Sequence, residues 1–398
     1  MRQLLVGALV GYLVSLITMA SPRLWQLARW APAAALLGAQ PSTALSLGGD
    51  KRVPLASSVR GRNTPTTVLV HGLDSSKQTW HAVLPKLHEA GLPALALDQR
   101  GHGESPLGDP ETFSTEALAR DVIHAVEVQH GVQRPWILVG HSMGGRVAMA
   151  VAAISAKEAP DRLAAVVVED MDCRNREKWG PQPQESEEIE EFDREFASEA
   201  AAVAALEKHY DADRVQGWLG SRVRPIAGGG YWSDVNPQAQ RLARANVLAC
   251  DAASSNWDAL ASHKELPFPV HLWVAGPTAF GGTVTDWDGP DGIRDMQNRL
   301  PSVQVREFVE GGHSIHNTAT GKFMEALLAV VDDAAKAAAE RPWPAVAAPT
   351  RRRSPAARMK MNWRMKIYED EVEDEEEYGD ANFEISGSDE ELSEDADF

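Results

Sequence analysis

Between residues 45 and 340 the chain alternates short apolar runs with longer amphipathic segments. The runs are Thr67-Val-Leu-Val-His71, Leu92-Pro-Ala-Leu-Ala-Leu97, Trp136-Ile-Leu-Val139, Leu163-Ala-Ala-Val-Val-Val168, Val270-His-Leu-Trp-Val274 and Val303-Gln-Val-Arg-Glu-Phe308. Each has strand length, and most are continuously apolar instead of alternating, the pattern of strands covered on both faces. Between them, residues 114–130 set Leu118, Val122 and Val126 on one helical face, and residues 143–157 repeat the device with Val147, Val151 and Ile154. Six strands separated by helix-like segments predict an α/β fold, a mostly parallel sheet flanked by helices.

The alternation stops between residues 174 and 266. That stretch offers no buried strand, but Phe192, Phe196, Ala200 and Val203 form a helical stripe among acidic residues, followed by Gly228-Gly-Gly-Tyr-Trp232 and more helical pattern. An insertion of this length between two sheet strands predicts a helical cap over the sheet edge, with residues 46–173 and 267–340 as the core. Aromatic side chains such as Trp218, Tyr231 and Trp232 are then candidates either for an apolar acyl pocket or for the cap's own packing.

The two ends depart from the body. Residues 4–20 are almost wholly apolar, with Arg2 before them, Arg23 and Arg29 after them, and no acidic residue until Asp50. Residues 30–44 are rich in Ala, Pro, Ser and Thr. Residues 1–45 therefore read as a targeting segment, with an organelle favoured, chloroplast ahead of mitochondrion, over secretion or a membrane anchor formed by residues 4–20. Beyond residue 340 a Pro/Ala linker leads to a basic block over 351–366 and then to an acidic tail.

The formal net charge of −18 resides in that tail: from Tyr368 to Phe398 there are 16 acidic and no basic residues, which leaves 39 basic against 41 acidic residues in the rest. A near-neutral body without a basic face argues against nucleic acid as a partner. Blocks of like charge with few apolar residues do not fold by themselves. The tail over 341–398 is a candidate surface for a protein partner, with Ser388 and Ser393 open to phosphorylation, and the basic block suits anionic lipid. Two cysteines, Cys173 and Cys250, exclude a disulfide framework and a zinc site built on thiolates, and Cys173 reads as a structural cysteine rather than a redox handle.

The chemistry concentrates after the third run. Gly140-His-Ser142-Met-Gly144 follows a strand and opens a helix. A G-x-S-x-G pattern arises by chance in about one chain of this length in eight, so it is the strand before and the apolar helix after that give it weight. In such an elbow Gly140 and Gly144 let chain segments approach closely, and Ser142 is lifted onto a helix N-terminus that favours developing negative charge. A serine hydroxyl needs a base, and His313 in Glu310-Gly-Gly-His313 follows the last strand on a glycine-rich loop. His141 and His316 read as packing or supporting groups. The base needs an acid to fix its tautomer. Asp170 at the end of the fourth strand competes with Asp286 and Asp288 in the loop after the fifth, and Gly276-Pro-Thr-Ala-Phe280 holds no carboxylate where that later loop would place one, which favours Asp170. His71-Gly72-Leu73 follows the first strand, so the Leu73 and Met143 N–H groups are candidates for an oxyanion hole.

Together these pieces resemble the α/β-hydrolase superfamily from about residue 64 to 335. The matching elements are His71-Gly72-Leu73, Asp98-Gln-Arg-Gly-His-Gly-Glu-Ser-Pro106, Gly140-His-Ser-Met-Gly-Gly145 and Gly311-Gly-His313. More narrowly, His71-Gly-Leu-Asp-Ser-Ser-Lys-Gln-Thr-Trp80 with the 98–106 loop is similar to the short-chain esterase subfamily of abhydrolase domain-containing protein eleven and its bacterial relatives. That resemblance implies serine ester hydrolysis, and it places the triad acid just after the strand that follows the elbow, where Val168-Glu-Asp170-Met171 stands. The long insertion, the 279–292 loop and both tails exceed the compact esterase pattern.

The expected activity is hydrolysis of a small-molecule carboxylic ester or thioester through an acyl-enzyme. Ser142 would be the nucleophile, His313 the base and Asp170 the orienting acid, with no metal or organic cofactor. Competing readings are a non-catalytic binding protein on the same fold, and a lyase or acyltransferase using the same three side chains.

Overall fold

The computed structural model describes residues 52–61, 67–132, 135–180, 192–277, 282–288 and 291–340. The segment expected to act in targeting, the linker, the basic block and the acidic tail lie outside the described residues. Among the described residues no helix is long and apolar enough to cross a membrane.

All six apolar runs are strands of one sheet: β2 (Thr67–Val70), β3 (Ala94–Leu97), β4 (Trp136–His141), β5 (Leu163–Glu169), β9 (Val270–Ala275) and β10 (Gln304–Phe308). A seventh strand, β1 (Ser57–Arg60), pairs antiparallel with β3 at one edge, and the sheet order is β1-β3-β2-β4-β5-β9-β10 with every other pairing parallel. Sequence pattern alone passed over β1 because Ser57-Ser-Val-Arg60 is polar and half-exposed; it is held by its ladder to β3 rather than by burial.

Alternate strand residues feed two separate cores, as the pleat requires. Val68, Leu95, Leu138, Val166 and Leu272 face one side, whereas Leu69, Ala96, Ile137, Val167 and Trp273 face the other. The first side is covered by α2 (Thr115–His124, continued by a π-helical turn, Ala125–Gln129) and α3 (Met143–Glu158). The second is covered by α1 (Val83–Glu89) and α9 (Thr320–Glu340). Leu118, Val122, Val126, Val147 and Val151 are buried as their spacing predicts. Helix α3 is buried nearly all round, because it lies between the sheet, α2 and α7 (Ala252–Ala261).

The 174–266 segment is helical only in part. It holds α4 (Glu199–Leu206), α5 (Ala212–Gln216), α6 (Pro237–Ala243) and α7, but also an antiparallel sheet of β6 (Glu195–Phe196), β7 (Val223–Pro225) and β8 (Tyr231–Ser233) in the order β6-β8-β7. The helical stripe expected from Phe192 to Val203 does not form. Ser198 caps α4 by accepting the Ala201 N–H, so Phe196 lies in a strand, and the helix buries Ala202 and Leu206 while Ala200 is exposed.

In strand order the chain turns back between β2 and β4: β3 is laid on one side of β2 and β4 on the other. The loops leaving β2 and β4 therefore diverge at a crevice at the carboxyl end of the strands, where open α/β sheets bind ligands. Both candidate loops, 71–74 and 140–145, emerge there.

Candidate active site

Ser142 stands between the end of β4 and the start of α3, at φ +53° and ψ −122°. A serine holds this strained backbone because its neighbours over-determine it: its N–H donates to the Glu169 carbonyl (2.9 Å), and its carbonyl accepts from Gly145 N–H (2.8 Å). Glycine is required on both sides. A Cβ on Gly140 would stand 2.2 Å from the Gly144 carbonyl oxygen, and one on Gly144 would stand 2.5 Å from the carbonyl oxygens of both Val70 and His71. At Gly144 the start of the helix thus packs directly against the main chain at the end of β2.

The Ser142 hydroxyl lies 2.9 Å from His313 Nε2, and His313 Nδ1 lies 2.7 Å from Asp170 Oδ2. With Nδ1–H donated to the carboxylate, Nε2 is left to accept the serine hydroxyl. Asp170 is fully buried at φ +46°, just past β5, and its two oxygens also accept main-chain N–H bonds from Ala275 (2.9 Å) and Val284 (3.1 Å). Burial pushes its carboxyl above the usual range, opposed by the bond to His313 and these two N–H donors. Asp286 is turned elsewhere: its carboxylate accepts the N–H and hydroxyl of Thr283 at the start of α8 (Val284–Asp288). The Asp288 side chain lies outside the described residues.

His71-Gly72-Leu73 closes over Ser142. A Cβ on Gly72 would come 2.9 Å from Ser142 Cβ. The buried His71 ring fixes this loop: Nδ1–H donates to the Gly72 carbonyl (2.7 Å), Nε2 accepts from Gln99 N–H (3.0 Å), and the Gln99 side chain donates to the His71 carbonyl (2.6 Å). Burial holds this ring well below the ordinary histidine value, so it is neutral, as the bond pattern demands. Met143 is the first residue of α3, and its N–H belongs to the turn that has no acceptor within the helix.

The sequence reading of His141 and His316 as packing or supporting groups left their partners open, and it passed over Glu169 and Arg146. His141 Nε2–H donates to the His313 carbonyl (3.0 Å), and burial depresses this ring as well. Glu169 pairs with His316 beside the triad residues. Arg146, one turn into α3, is fully buried and donates to the carbonyls of Val247 and Leu248, and burial pulls its guanidinium down to about 10. A charged side chain within an apolar stretch is the one sequence signal that marks such groups, since burial demands partners for it. Cys173 is buried with its thiol pushed up to about 11, the opposite of a reactive cysteine.

The aromatics weighed for an acyl pocket serve the 174–266 segment itself. Trp218 is buried with Ala202, Leu206, Val215 and Val223, Tyr231 packs against that cluster, and Trp232 donates to Asp234 beneath the Arg194 guanidinium.

Among the described residues, His141, Glu169 and His316 bring three buried donor atoms within 4.8 Å, close enough for a metal ion. Each is engaged by protein: Glu169 with the His316 ring and N–H, and His141 with the His313 carbonyl. The donor set fits a hydrogen-bonded network.

A family model described as alpha/beta hydrolase fold matches residues 65–320, well over half of the chain. The chain belongs to the alpha/beta hydrolase fold family. Among relatives of this alpha/beta hydrolase, sn-1-specific diacylglycerol lipase ABHD11 of Mus musculus is 27% identical over 273 residues, covering 66% of this chain and 80% of that protein. Protein phosphatase methylesterase 1 of Mus musculus is 37% identical over 95 residues, and there the match spans only 23% of this chain and 25% of the relative. Among solved structures, E-2-(acetamidomethylene)succinate hydrolase superposes with a TM-score of 0.52 at 19% identity, covering 70% of this chain and 96% of that one. That likeness establishes the shared fold.

Proposed function

We propose that this alpha/beta hydrolase is a serine hydrolase that cleaves a carboxylic ester or thioester through an acyl-enzyme. The observation that carries the reading is the unbroken line from Ser142 Oγ through His313 to the buried Asp170, with contacts of 2.9 and 2.7 Å. Ser142 attacks the substrate carbonyl while its proton passes to His313 Nε2. Asp170 holds the ring in the tautomer that leaves Nε2 free to accept, and stabilises the imidazolium that forms. The tetrahedral oxygen is received by the N–H groups of Leu73 and Met143, on the two loops that the glycines let touch. His313 then gives its proton to the departing alcohol or thiol, and water, deprotonated by the same ring, releases the acyl group. Two of the relatives are named for ester cleavage, as a diacylglycerol lipase and a methylesterase, and support this class.

The test is turnover of a p-nitrophenyl ester series by the full chain and by Ser142→Ala. The expected result is turnover by the parent and a loss of about 10³-fold or more in the variant. Equal turnover by the two would remove Ser142 from the chemistry.

A further inference from the structure

We propose that Glu169 and His316 form a positioning pair for the reaction at Ser142, holding the loop that carries His313 against the strand that supplies Asp170. The inference rests on the serine hydrolase reading and adds to it two residues that touch none of the reacting atoms.

Glu169 is the last residue of β5, next to Asp170, and its side chain and that of His316 are completely buried. A carboxylate in such a place demands compensation, and it has three bonds from one residue: the His316 main-chain N–H to Oε1 (2.9 Å), and the ring Nδ1 to Oε1 (2.8 Å) and Oε2 (3.0 Å). The far ring nitrogen, Nε2, meets Thr79 Oγ1 (2.9 Å) and Asn317 Nδ2 (3.2 Å), and the Trp80 ring lies over the imidazole with centroids 4.2 Å apart. The result is a hydroxyl–histidine–carboxylate line, Thr79–His316–Glu169, beside the line Ser142–His313–Asp170. Each carboxylate neighbours the other in sequence, and the two histidines are three residues apart.

The placement matters because the bonds within the loop that carries His313 are local, and its position against the sheet depends on contacts from outside it. Gly311 and Gly312 precede it, and the His313 side chain is 31% exposed. Gly312 N–H donates to Thr318 Oγ1 (2.9 Å), a bond within the same segment. His141 grips the His313 carbonyl from the elbow, and Glu169 grips His316 from β5. Glu169 also holds the nucleophile, since its own carbonyl accepts the Ser142 N–H. Two consecutive residues therefore fix all three groups: Asp170 as a member, Ser142 through the Glu169 carbonyl, and the His313 loop through the Glu169 carboxylate. Misplacement of a reacting group by about 1 Å can cost about 100-fold in rate, which sets the scale of what this bracing protects.

The experiment uses the full chain and reads kcat per active site, with sites counted by end-point titration with a fluorophosphonate, so that partial unfolding does not enter the rate. His316→Asn sets an amide N–H where Nδ1 now donates to Glu169, whereas His316→Gln reaches only the Nε2 position. The expected result is that His316→Asn and Glu169→Gln keep kcat within about threefold. His316→Gln and Glu169→Ala should lower it about 10- to 100-fold, with KM changed less than about threefold. If Glu169→Ala fails to fold, the Asn and Gln variants at 316 still decide. Equal kcat per site in those two overturns the proposal, as does a parent-like kcat in Glu169→Ala. A Ser142→Ala variant that turns over like the parent signals the separate failure of the serine hydrolase reading.

Discussion

The carboxyl end of the parallel sheet and the seam where the 174–266 segment meets it are built by different means. At the sheet end, strands with apolar side chains on both faces fix the frame, and the polar groups that emerge are placed by main-chain bonds: Asp170 by the N–H groups of Ala275 and Val284, Ser142 by the Glu169 carbonyl. At the seam, side-chain charges do the joining. Asp74, next to Leu73, accepts from Arg214 (2.7 Å) and Gln240 (2.5 Å); Asp234 accepts from Ser76 and Arg224; and Arg194 donates to the Ser105 carbonyl. Lys77, Asp98 and Glu104 extend the same network, with Lys77 Nζ 2.6 Å from Asp98 and 3.0 Å from Glu104. Main-chain bonds on a packed sheet tolerate little displacement, whereas the pairs of this network that reach solvent, such as Arg214 with Asp74, are individually weak and exchangeable, and Lys77 with Asp98 is its buried anchor. Ser142 and Asp170 sit on the rigid side of that boundary, and the 174–266 segment meets it across the exchangeable side.

If this division holds, changes at the sheet end act on kcat and changes at the seam act on KM. The largest effect is expected at Asp170→Asn, which preserves shape but lets the His313 ring adopt the wrong tautomer: kcat should fall about 10³- to 10⁴-fold, with the fold weakened by only about 1–3 kcal/mol because the amide NH2 leaves the Ala275 or the Val284 N–H without an acceptor, while Asp286→Asn stays near the parent. Steady-state kinetics beside a thermal melt checks both.

Next is Gly144→Ala. Its Cβ would collide with two carbonyl oxygens at 2.5 Å, and main chain cannot yield as a flexible side chain can. A destabilisation of about 3 kcal/mol or more is expected in urea unfolding, with the loss of activity tracking the loss of fold.

Acid should weaken the fold through the same buried machinery. His71 and His141 are held neutral by burial, with folded pKa values well below the ordinary value, so they take up protons when the chain unfolds. Their contribution is intact above about pH 6.5 and is lost as pH falls below it, at up to about 1.4 kcal/mol per pH unit for each ring. Asp170 acts in the opposite sense, because its folded pKa is raised: its contribution is present at acid pH and is lost as pH rises through the folded value. Unfolding free energies measured from pH 8 to pH 5 should decline below about 6.5, and more gently in His71→Gln. A flat profile would contradict the neutral, buried placement.

The smallest effect belongs to the seam. Arg214→Ala removes one half-exposed partner of Asp74 and should cost less than about 1 kcal/mol, raising KM about two- to fivefold with kcat within about twofold, and more at low salt than at high. A kcat loss as large as that of Asp170→Asn would erase the distinction between the two regions.

How much was legible in the sequence follows the same boundary. The continuous apolar runs name the inner strands of the sheet because a strand buried on both faces leaves few other choices of composition, and the edge run Val303-Gln-Val-Arg-Glu-Phe308 is recognised by its length and place. Gly140-His-Ser142-Met-Gly144 and Gly311-Gly-His313 stand out because the chemistry constrains their neighbours. Position and the family resemblance favoured Asp170 but left Asp286 and Asp288 open, and in the structure it is Asp170 that meets His313, whereas Asp286 accepts from Thr283. The 174–266 segment was harder to read, since strands of two or three residues such as β6 and β8 carry no periodicity and the Ser198 cap moves the helix start past the apparent stripe. The pair of Glu169 and His316 joins residues 147 positions apart, and its only local trace is a carboxylate ending the run Leu163-Ala-Ala-Val-Val-Val-Glu169.

The central claim is that Ser142 is a nucleophile activated by His313. The most direct measurement is to treat the full chain with a fluorophosphonate, digest it and map the adduct by mass spectrometry, alongside His313→Ala. The account predicts one adduct, on Ser142, formed at least about 100-fold more slowly in the variant. An adduct on another residue, or labelling of Ser142 at the same rate without His313, would contradict it.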